Sequence, residues 1–400
     1  MKHMKHSKLF RQKRWPLFGF VGLFAVLGTV LLLSSRAATP YTSIESEKGT
    51  LSGTAVTLQS DANASSGQYV QFGTKPSTSP GGLYNGKLLG MNAFDKDAGV
   101  MQQLGVNSAR AELVYHGPAF GDPDYNGTAA SWIDTLTSAH IVPMPLLNQY
   151  VEMGNLDING FSKGVVAWCQ VYCAGGSFYK NNTSANQTYA PQTLEILNEP
   201  YGTWWGYPVT PNDINAYATL LKTIRSDLNT AGFKNIGITA AANNNWDSTK
   251  DFDTDLLNDG GYAAVQGVVV HGYGPIDLPK DTTGTYTNDW GQVYYLHKLL
   301  SDAGLASHAN IYVTEVGYCT GSGGDCVGGT YTEAQKDANI ATIINQLATV
   351  PFLKGFWYFN LRPYLGKDGN YNSFGFYDPN SDNKTPAWAA FQNAAHANGF

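Results

Sequence analysis

Two acids set in apolar runs are the residues of this sequence best placed to do chemistry. Glu199 ends the stretch Thr193-Leu-Glu-Ile-Leu-Asn-Glu-Pro200, a buried-strand pattern closed by an amide, an acid and a chain-breaker. Glu315 stands in Ile311-Tyr-Val-Thr-Glu-Val-Gly-Tyr318, a second run of the same kind. An acid that keeps its proton can protonate a leaving oxygen, and an ionised carboxylate opposite it can attack the carbon or activate water. The two must then live in different surroundings. Burial or a like charge has to raise the first pKa, while a nearby Arg and a Tyr donor would favour the ionised form of the second.

The elements that must hold such a pair follow from the pattern around it. From residue 83 onward, strand-like and helix-like segments alternate to the end. The predicted strands are 87–94, 106–115, 141–150, 193–201, 235–243, 265–274, 310–318 and 352–361. The predicted helices are 97–104, 130–139, 161–172, 212–231 (introduced by Pro211), 252–258, 290–303, 333–350 and 387–397 (introduced by Thr385-Pro386). Eight strand–helix units in one domain, 83–400, predict an α/β fold of the closed (β/α)₈, or TIM-barrel, kind rather than an open doubly wound sheet. The near-continuous apolar strands agree, because parallel strands are buried on both faces. Glu199 and Glu315 then end the fourth and seventh strands, across the barrel from each other, and can face one bond from opposite sides. Polar groups end the other strands too: Arg110 with Glu112, Tyr115 and His116; Asn148-Gln149-Tyr150; Asn243-Asn-Asn-Trp246; His271-Gly-Tyr273; and Trp357, Tyr358 and Asn360.

On Ala190-Pro-Gln-Thr-Leu-Glu-Ile-Leu-Asn-Glu-Pro200, His271-Gly-Tyr273, Ile311-Tyr-Val-Thr-Glu315 and Gly355-Phe-Trp-Tyr358, the region from residue 83 to the C-terminus resembles the clan A glycoside hydrolases. The cellulase-like families 5 and 39 are the most similar. The resemblance implies a retaining enzyme with Glu199 as acid/base and Glu315 as nucleophile. It implies that Asn198 hydrogen-bonds the sugar 2-hydroxyl, that Tyr273 donates to Glu315, and that Arg110 helps keep Glu315 ionised. His271 would lie near Glu199, and Trp357 would floor the subsite of the cleaved sugar. One departure stands out: several relatives carry a His at the end of the second or third strand, where this chain has Glu112 and Asn148-Gln149. When Glu315 is consumed as a glycosyl ester, its like charge disappears and Glu199 should turn from acid into base.

Trp204, Trp205 and Tyr207, in the loop after Glu199, could stack on sugar rings or form a packed lid. Glu112 and Glu195 read as structural or peripheral. The stripe Tyr217, Leu220, Leu221, Ile224 and Leu228 reads as core. His116, His140, His297, His308 and His396 have no ligand spacing, and His3 and His6 sit in a basic tail, so no catalytic metal and no cofactor is expected.

Composition bounds the partners and the compartment. A formal charge of −6 gives no support for nucleic-acid binding. Charged residues are sparse at 14% against 13% aromatics, a balance that suits a secreted protein with surfaces for neutral ligands. Six Lys and Arg in the first 14 residues precede an unbroken apolar run, 17–33. That is an export signal. Ser35-Arg36-Ala37 would allow cleavage, while the near-spanning length would allow retention as an anchor, with membrane attachment through residues 15–33. Residues 1–37 are thus a signal peptide or signal anchor. Segment 38–74 is a short β-hairpin-like piece, and Ile44–Gly53 with Ser66–Phe72 resembles the opening strands of the β-sandwich carbohydrate-binding modules of families 6 and 35. Residues 75–82 form a linker. Four cysteines fit an oxidising compartment. Cys319 and Cys326 bracket a Gly-rich segment that a disulfide could staple; without a following Lys-Ser/Thr it is not a phosphate cradle. Cys169 and Cys173 lie in a helical pattern, where Cβ atoms stand about 5–6 Å apart, too far for a disulfide. A bridge there requires the helix to end, as Gly175-Gly176 suggests. The expectation is an exported, monomeric, retaining β-glycosidase acting inside a β-linked polysaccharide (glucan, mannan or xylan). The alternatives are an exo-acting β-xylosidase or β-glucosidase, and a silent, surface-held carbohydrate-binding or adhesion protein.

Overall fold

Eight parallel strands close on themselves, the last pairing with the first. The computed structural model describes residues 86–93, 97–115, 117, 120, 129–200, 209–242, 250–274, 290–321, 326, 329–365, 368–378, 380–381 and 383–400, with the backbone of 56–60 and 68–72. The chain divides into two units, 1–75 and 76–400.

In the first unit, β1 (Val56–Ser60) and β2 (Gln68–Phe72) form an antiparallel pair in register from Val56↔Phe72 to Ser60↔Gln68. The export segment 1–37, the stretch 44–53, residues 66–67 and the linker 75–82 lie outside the described residues.

The second unit carries the strand–helix alternation. Its barrel strands are β3 (Leu88–Asn92), β4 (Ser108–Val114), β5 (Val142–Asn148), β6 (Thr193–Ile196), β7 (Gly237–Ala241), β8 (Gly267–Tyr273), β9 (Ile311–Gly317) and β10 (Leu353–Tyr358). The helices are α1 (Ala98–Gln103), α2 (Ala129–Ser138), α3 (Ile158–Tyr172), α4 (Ser177–Asn181), α5 (Pro211–Thr230), α6 (Lys250–Asn258), α7 (Gly291–Asp302), α8 (Glu333–Thr349) and α9 (Pro386–Ala397). The chain is a (β/α)₈ barrel. The helix starts have local causes: Thr210 with Asp213 and Thr332 with Gln335 form capping boxes ahead of α5 and α8, and Pro211 and Pro386 occupy first turns. Tyr217, Leu220, Leu221, Ile224 and Leu228 of α5 are all fully buried, the core stripe that their spacing predicts. A two-stranded hairpin after the barrel, β11 (Tyr364–Leu365) with β12 (Tyr371–Asn372), has no counterpart in the sequence reading. α3 stops at Tyr172 and Cys173 turns to extended backbone, which brings its Cα to 4.5 Å from that of Cys169, and Cys319 stands 5.5 Å from Cys326.

Two departures from the predicted strands shape the site. β6 ends at Ile196, five residues earlier than predicted, because Leu197 and Glu199 take positive φ, 63° and 43°. Non-glycine residues rarely adopt that region, and it costs about 1–3 kcal/mol each. Pro200 disfavours the right-handed helical alternative at Glu199. The second departure is in β9. Val270 pairs with Val313 but His271 pairs with Glu315, and on the other side Phe356 pairs with Val313 but Tyr358 with Val316. β9 therefore carries one residue more than both neighbours at Thr314-Glu315, a bulge that re-aims side chains.

Candidate active site

The barrel interior is built in levels. In the lower one, Trp357 is fully buried among Met144, Val269 and Tyr312, which come from strands on different sides of the barrel, and its indole Nε1 donates to Ser108 Oγ at 3.0 Å. Gly90 makes room for it: a Cβ there would meet Trp357 Cδ1 at 1.9 Å. The expectation that Trp357 floors a sugar subsite is thereby corrected. Its register on β10 points it into the closed core, beneath the level that carries the acids, where no sugar ring can reach it.

The upper level is ionic. Arg110 on β4 is 4% exposed, and all five of its N–H groups are engaged. Nε and Nη2 grip Glu195 of β6 at 2.6 and 2.8 Å, a two-point pairing. Nη1 donates to Asn92 Oδ1 and to Glu315 Oε1, both at 2.8 Å, and Nη2 also donates to Asn198 Oδ1 at 3.0 Å. Asn92, at the end of β3, is itself fixed by its amide donating to Thr314 O at 2.9 Å. Arg110 is thus the hub that ties Glu315 to Asn198, beside Glu199. Burial alone would push the Glu195 carboxyl up, but the charge of Arg110, then hydrogen bonds from His271 and Arg110, outweigh it and lower it to about 2. The same carboxylates keep the Arg110 pKa above its ordinary value despite burial.

Glu199 and Glu315 have separate partners. His271 Nδ1 meets Glu199 Oε1 at 2.7 Å. Its Nε2 faces Thr314 Oγ1 at 3.1 Å, and Thr314 gives its hydroxyl proton to Glu195 Oε1 at 3.3 Å. Because the Thr314 hydroxyl is donated onward, its oxygen accepts from Nε2–H. The tautomer assigned from this network leaves one mobile proton between Nδ1 and Glu199. Burial would lower the His271 pKa, but the charge of Glu315, then the bonds of Glu195 and Glu199, push it up to about 10. Glu315 accepts from Arg110 through Oε1 and from the Tyr273 hydroxyl through Oε2 at 2.7 Å. Tyr273 stays a phenol, since burial and then the charge of Glu315 raise its pKa well above the ordinary 10.0. One oxygen of each catalytic candidate and a nitrogen of His271 lie within 4.8 Å of one another. Among the described residues this trio is the cluster whose donor types could hold a metal ion, although a cation would displace the bonds just described.

Of the residues singled out in the sequence, the structure gathers Glu199, Glu315, Arg110, Asn198, His271 and Tyr273, and places Trp357 elsewhere. Trp204, Trp205, Tyr207, His116 and 243–246 lie outside the described residues. Glu195, read as structural or peripheral, is the buried counter-ion of Arg110. Glu112 lies on the inward face of β4, bonded by Asn148 Nδ2 and by the Tyr150 hydroxyl at 2.6 Å. The sequence reading passed over Asn92, Thr314 and Phe359. Phe359 directly follows the last barrel strand, half-buried, edge-on to Tyr273 with centroids 6.4 Å apart and against Phe374 at 5.5 Å. A signal existed for Phe359: on a strand of period two it shares the inward face of Trp357 one repeat nearer the mouth.

No protein-family model matches the chain, and no curated protein matches it. Solved structures do. The chain is similar to a family 39 glycoside hydrolase from the gut symbiont Bacteroides cellulosilyticus WH2, with 15% identity, a TM-score of 0.55, and coverage of 82% of this chain and 67% of that one. It is similar to a fungal β-1,4-galactanase at 13% identity and TM-score 0.51, over 76% of this chain and 98% of that one. It is also similar to a family 2 β-galacturonidase from Eisenbergiella tayi bound to galacturonate, at 11% and 0.50, over 86% and 54%. At these identities the likeness is one of fold: the structural neighbours are clan A glycoside hydrolases built on this barrel.

Proposed function

We propose that the protein is an exported retaining β-glycosidase that cleaves within a β-linked polysaccharide, with Glu199 as acid/base and Glu315 as nucleophile. The observation that carries this is the opposition of the two carboxyl groups, with oxygens within 4.8 Å, on separate sets of partners. That closeness fits the separation of about 5–5.5 Å used by retaining enzymes better than the roughly 6.5–9.5 Å that leaves room for water in inverting ones. In the first step Glu199 gives its proton to the glycosidic oxygen as a Glu315 oxygen bonds to the anomeric carbon and the aglycone leaves as an alcohol. In the second, Glu199 takes a proton from water, the water oxygen bonds to the anomeric carbon, and Glu315 departs as a carboxylate. His271 accompanies both steps: its Nδ1, 2.7 Å from Glu199 Oε1, shares the proton that leaves with the aglycone in the first step, and the proton taken from water restores that bond in the second. Arg110 and Tyr273 hold Glu315 against rotation, so that its approach is set before substrate binds.

Export of the barrel rests on the basic and apolar N-terminal sequence. The function is tested with Glu199→Gln and Glu315→Gln on glucan, xylan, mannan and galactan, reading released reducing ends and the anomer first formed. Each variant should lose activity by about 10²–10⁴-fold or more, and the wild type should form product of retained configuration. Full activity in either variant, or inverted product, defeats the mechanism.

A further inference from the structure

Resting on the glycosidase reading, the inference concerns what keeps the hydroxyl donor of the nucleophile in place. Tyr273 gives its proton to Glu315 Oε2 at 2.7 Å. A phenol at a strand end can turn about its side-chain torsions unless its ring is walled in. The wall comes from beyond the barrel. Phe374, fully buried, stands edge-on to the Tyr273 ring, with centroids 5.9 Å apart and planes at 64°. Phe359 meets both rings, 6.4 Å from Tyr273 and 5.5 Å from Phe374. The three make an edge-to-face cluster, an arrangement that aromatic rings favour. Gly317, two residues past Glu315, lets the Phe374 ring in: a Cβ there would meet Phe374 Cδ1 at 2.8 Å.

Phe374 follows β12 in irregular backbone, so its place is not set by a strand or a helix. It is set through three consecutive carbonyls. Lys336 of α8, 1% exposed, donates through Nζ to Ser373 O at 3.0 Å and to Gly375 O at 2.5 Å. Between them, Phe374 O accepts from the Tyr358 hydroxyl of β10 at 3.2 Å. Ser373 O accepts also from the Thr320 backbone N–H at 3.3 Å. Burial brings the Lys336 ammonium down to about 8, against the opposing charges of Glu333 and Asp337. At neutral pH the chain thus keeps a buried cation, which is costly, and aims it at the two carbonyls that flank Phe374.

We infer that Phe374, pinned through its flanking carbonyls by Lys336, is a positioning residue that keeps the Tyr273 hydroxyl on Glu315. Phe374 and Lys336 act through Tyr273 and not on the sugar. Without that wall Glu315 keeps its Arg110 bond through Oε1 but loses the restraint on Oε2.

The test is a double-variant cycle on the β-glycan that the full-length protein cleaves fastest, at a temperature where circular dichroism shows every variant folded. Phe374→Leu should lower kcat by about tenfold with KM within about twofold, since a hydrogen bond to the attacking carboxylate is loosened and sugar binding is not. Phe374→Met should do the same, and it stands in if the leucine variant does not fold. Tyr273→Phe should lower kcat as well. Adding Phe374→Leu to it should then cost no more than about twofold further, because the bond that Phe374 guards is already gone. Lys336→Met keeps the stem and removes the ammonium, and it should show the same kcat loss and the same failure to add to Tyr273→Phe. An unchanged kcat in Lys336→Met overturns the pinning. If Phe374 serves the fold alone, its loss and that of Tyr273→Phe multiply, which overturns the inference. An unchanged kcat in Phe374→Leu, or a loss confined to KM, overturns it too, while leaving the glycosidase reading intact. A wild type that cleaves no β-glycan removes that reading and the inference with it.

Discussion

On β4 the inward side chains run Ser108, Arg110, Glu112; on β8 they run Val269, His271, Tyr273. Each step of two residues moves from a level packed around Trp357 to a level wired by charge. Below, polar contacts are few, an indole N–H given to Ser108 and the Ser108 hydroxyl given to Val142 O among them, and stability comes from apolar area removed from water and from close packing. Above, Glu195, Arg110, His271 and Glu315 are buried or half-buried, and they persist only because nearly every lone pair and proton is met. The lower level tolerates changes that conserve volume, whereas the upper one tolerates few changes of charge. A barrel can thus carry expensive catalytic electrostatics because a dense apolar plug two residues deeper keeps the strands in register.

That contrast can be broken first at Arg110. Arg110→Met strands Glu195 as an unpaired buried charge, so unfolding by urea should show a loss of about 3–5 kcal/mol, and activity should vanish with the loss of the Glu315 contact. Less than about 1 kcal/mol would show that the ion pair is not closed to water. Trp357→Ala should cost a similar or slightly smaller amount, about 3–5 kcal/mol, through the cavity it opens. Its KM should move by less than about twofold at temperatures where the variant stays folded; a strong KM rise in a stable variant would return Trp357 to the sugar site.

Titration separates the levels further, because only the upper one contains carboxylates and an imidazole. The carboxyl of Glu195 is lowered from an ordinary 4.5 to about 2, so its contribution is complete above about 4.5 and is lost as pH falls toward 2. His271 is raised from 6.5 to about 10, so its contribution is complete below about 6.5 and is lost as pH rises toward 10. Denaturation melts should therefore show an acid limb and an alkaline limb, and His271→Asn should flatten the alkaline one. An unchanged alkaline limb would mean that His271 stays neutral in the folded protein. The smallest effect belongs to Thr314→Val. Losing the hydroxyl between His271 and Glu195 should cost about 1–2 kcal/mol and shift the pH–rate profile, while a change at Val313 to Ile should leave the profile alone.

Much of the fold is legible because its cause is local. Helix starts are written in Thr210-Pro211, Thr332 and Thr385-Pro386, and each barrel strand is an apolar run bounded by turn residues. Arg110, Asn198, His271 and Tyr273 could be singled out because polar groups closing apolar strands have few other uses. Trp357 was misplaced because a strand end marks the mouth only to within two residues, and two residues separate the sugar-facing level from the plug. Glu195 was undervalued because its neighbours in sequence, Leu194 and Ile196, say nothing about Arg110, which lies 85 positions away.

The sequence by itself determined the barrel, the two acids and the strands that carry them, since periodicity and chain-breaking residues act over a few neighbours. It did not determine that both acids face the same space. With Tyr312 and Thr314 inward, simple alternation would turn Glu315 toward the helices. The extra residue of β9 against both β8 and β10 brings Glu315 inside, to Arg110 and Tyr273. A bulge is a mismatch between paired strands, so it exists only once the barrel has closed, and the site exists only with it.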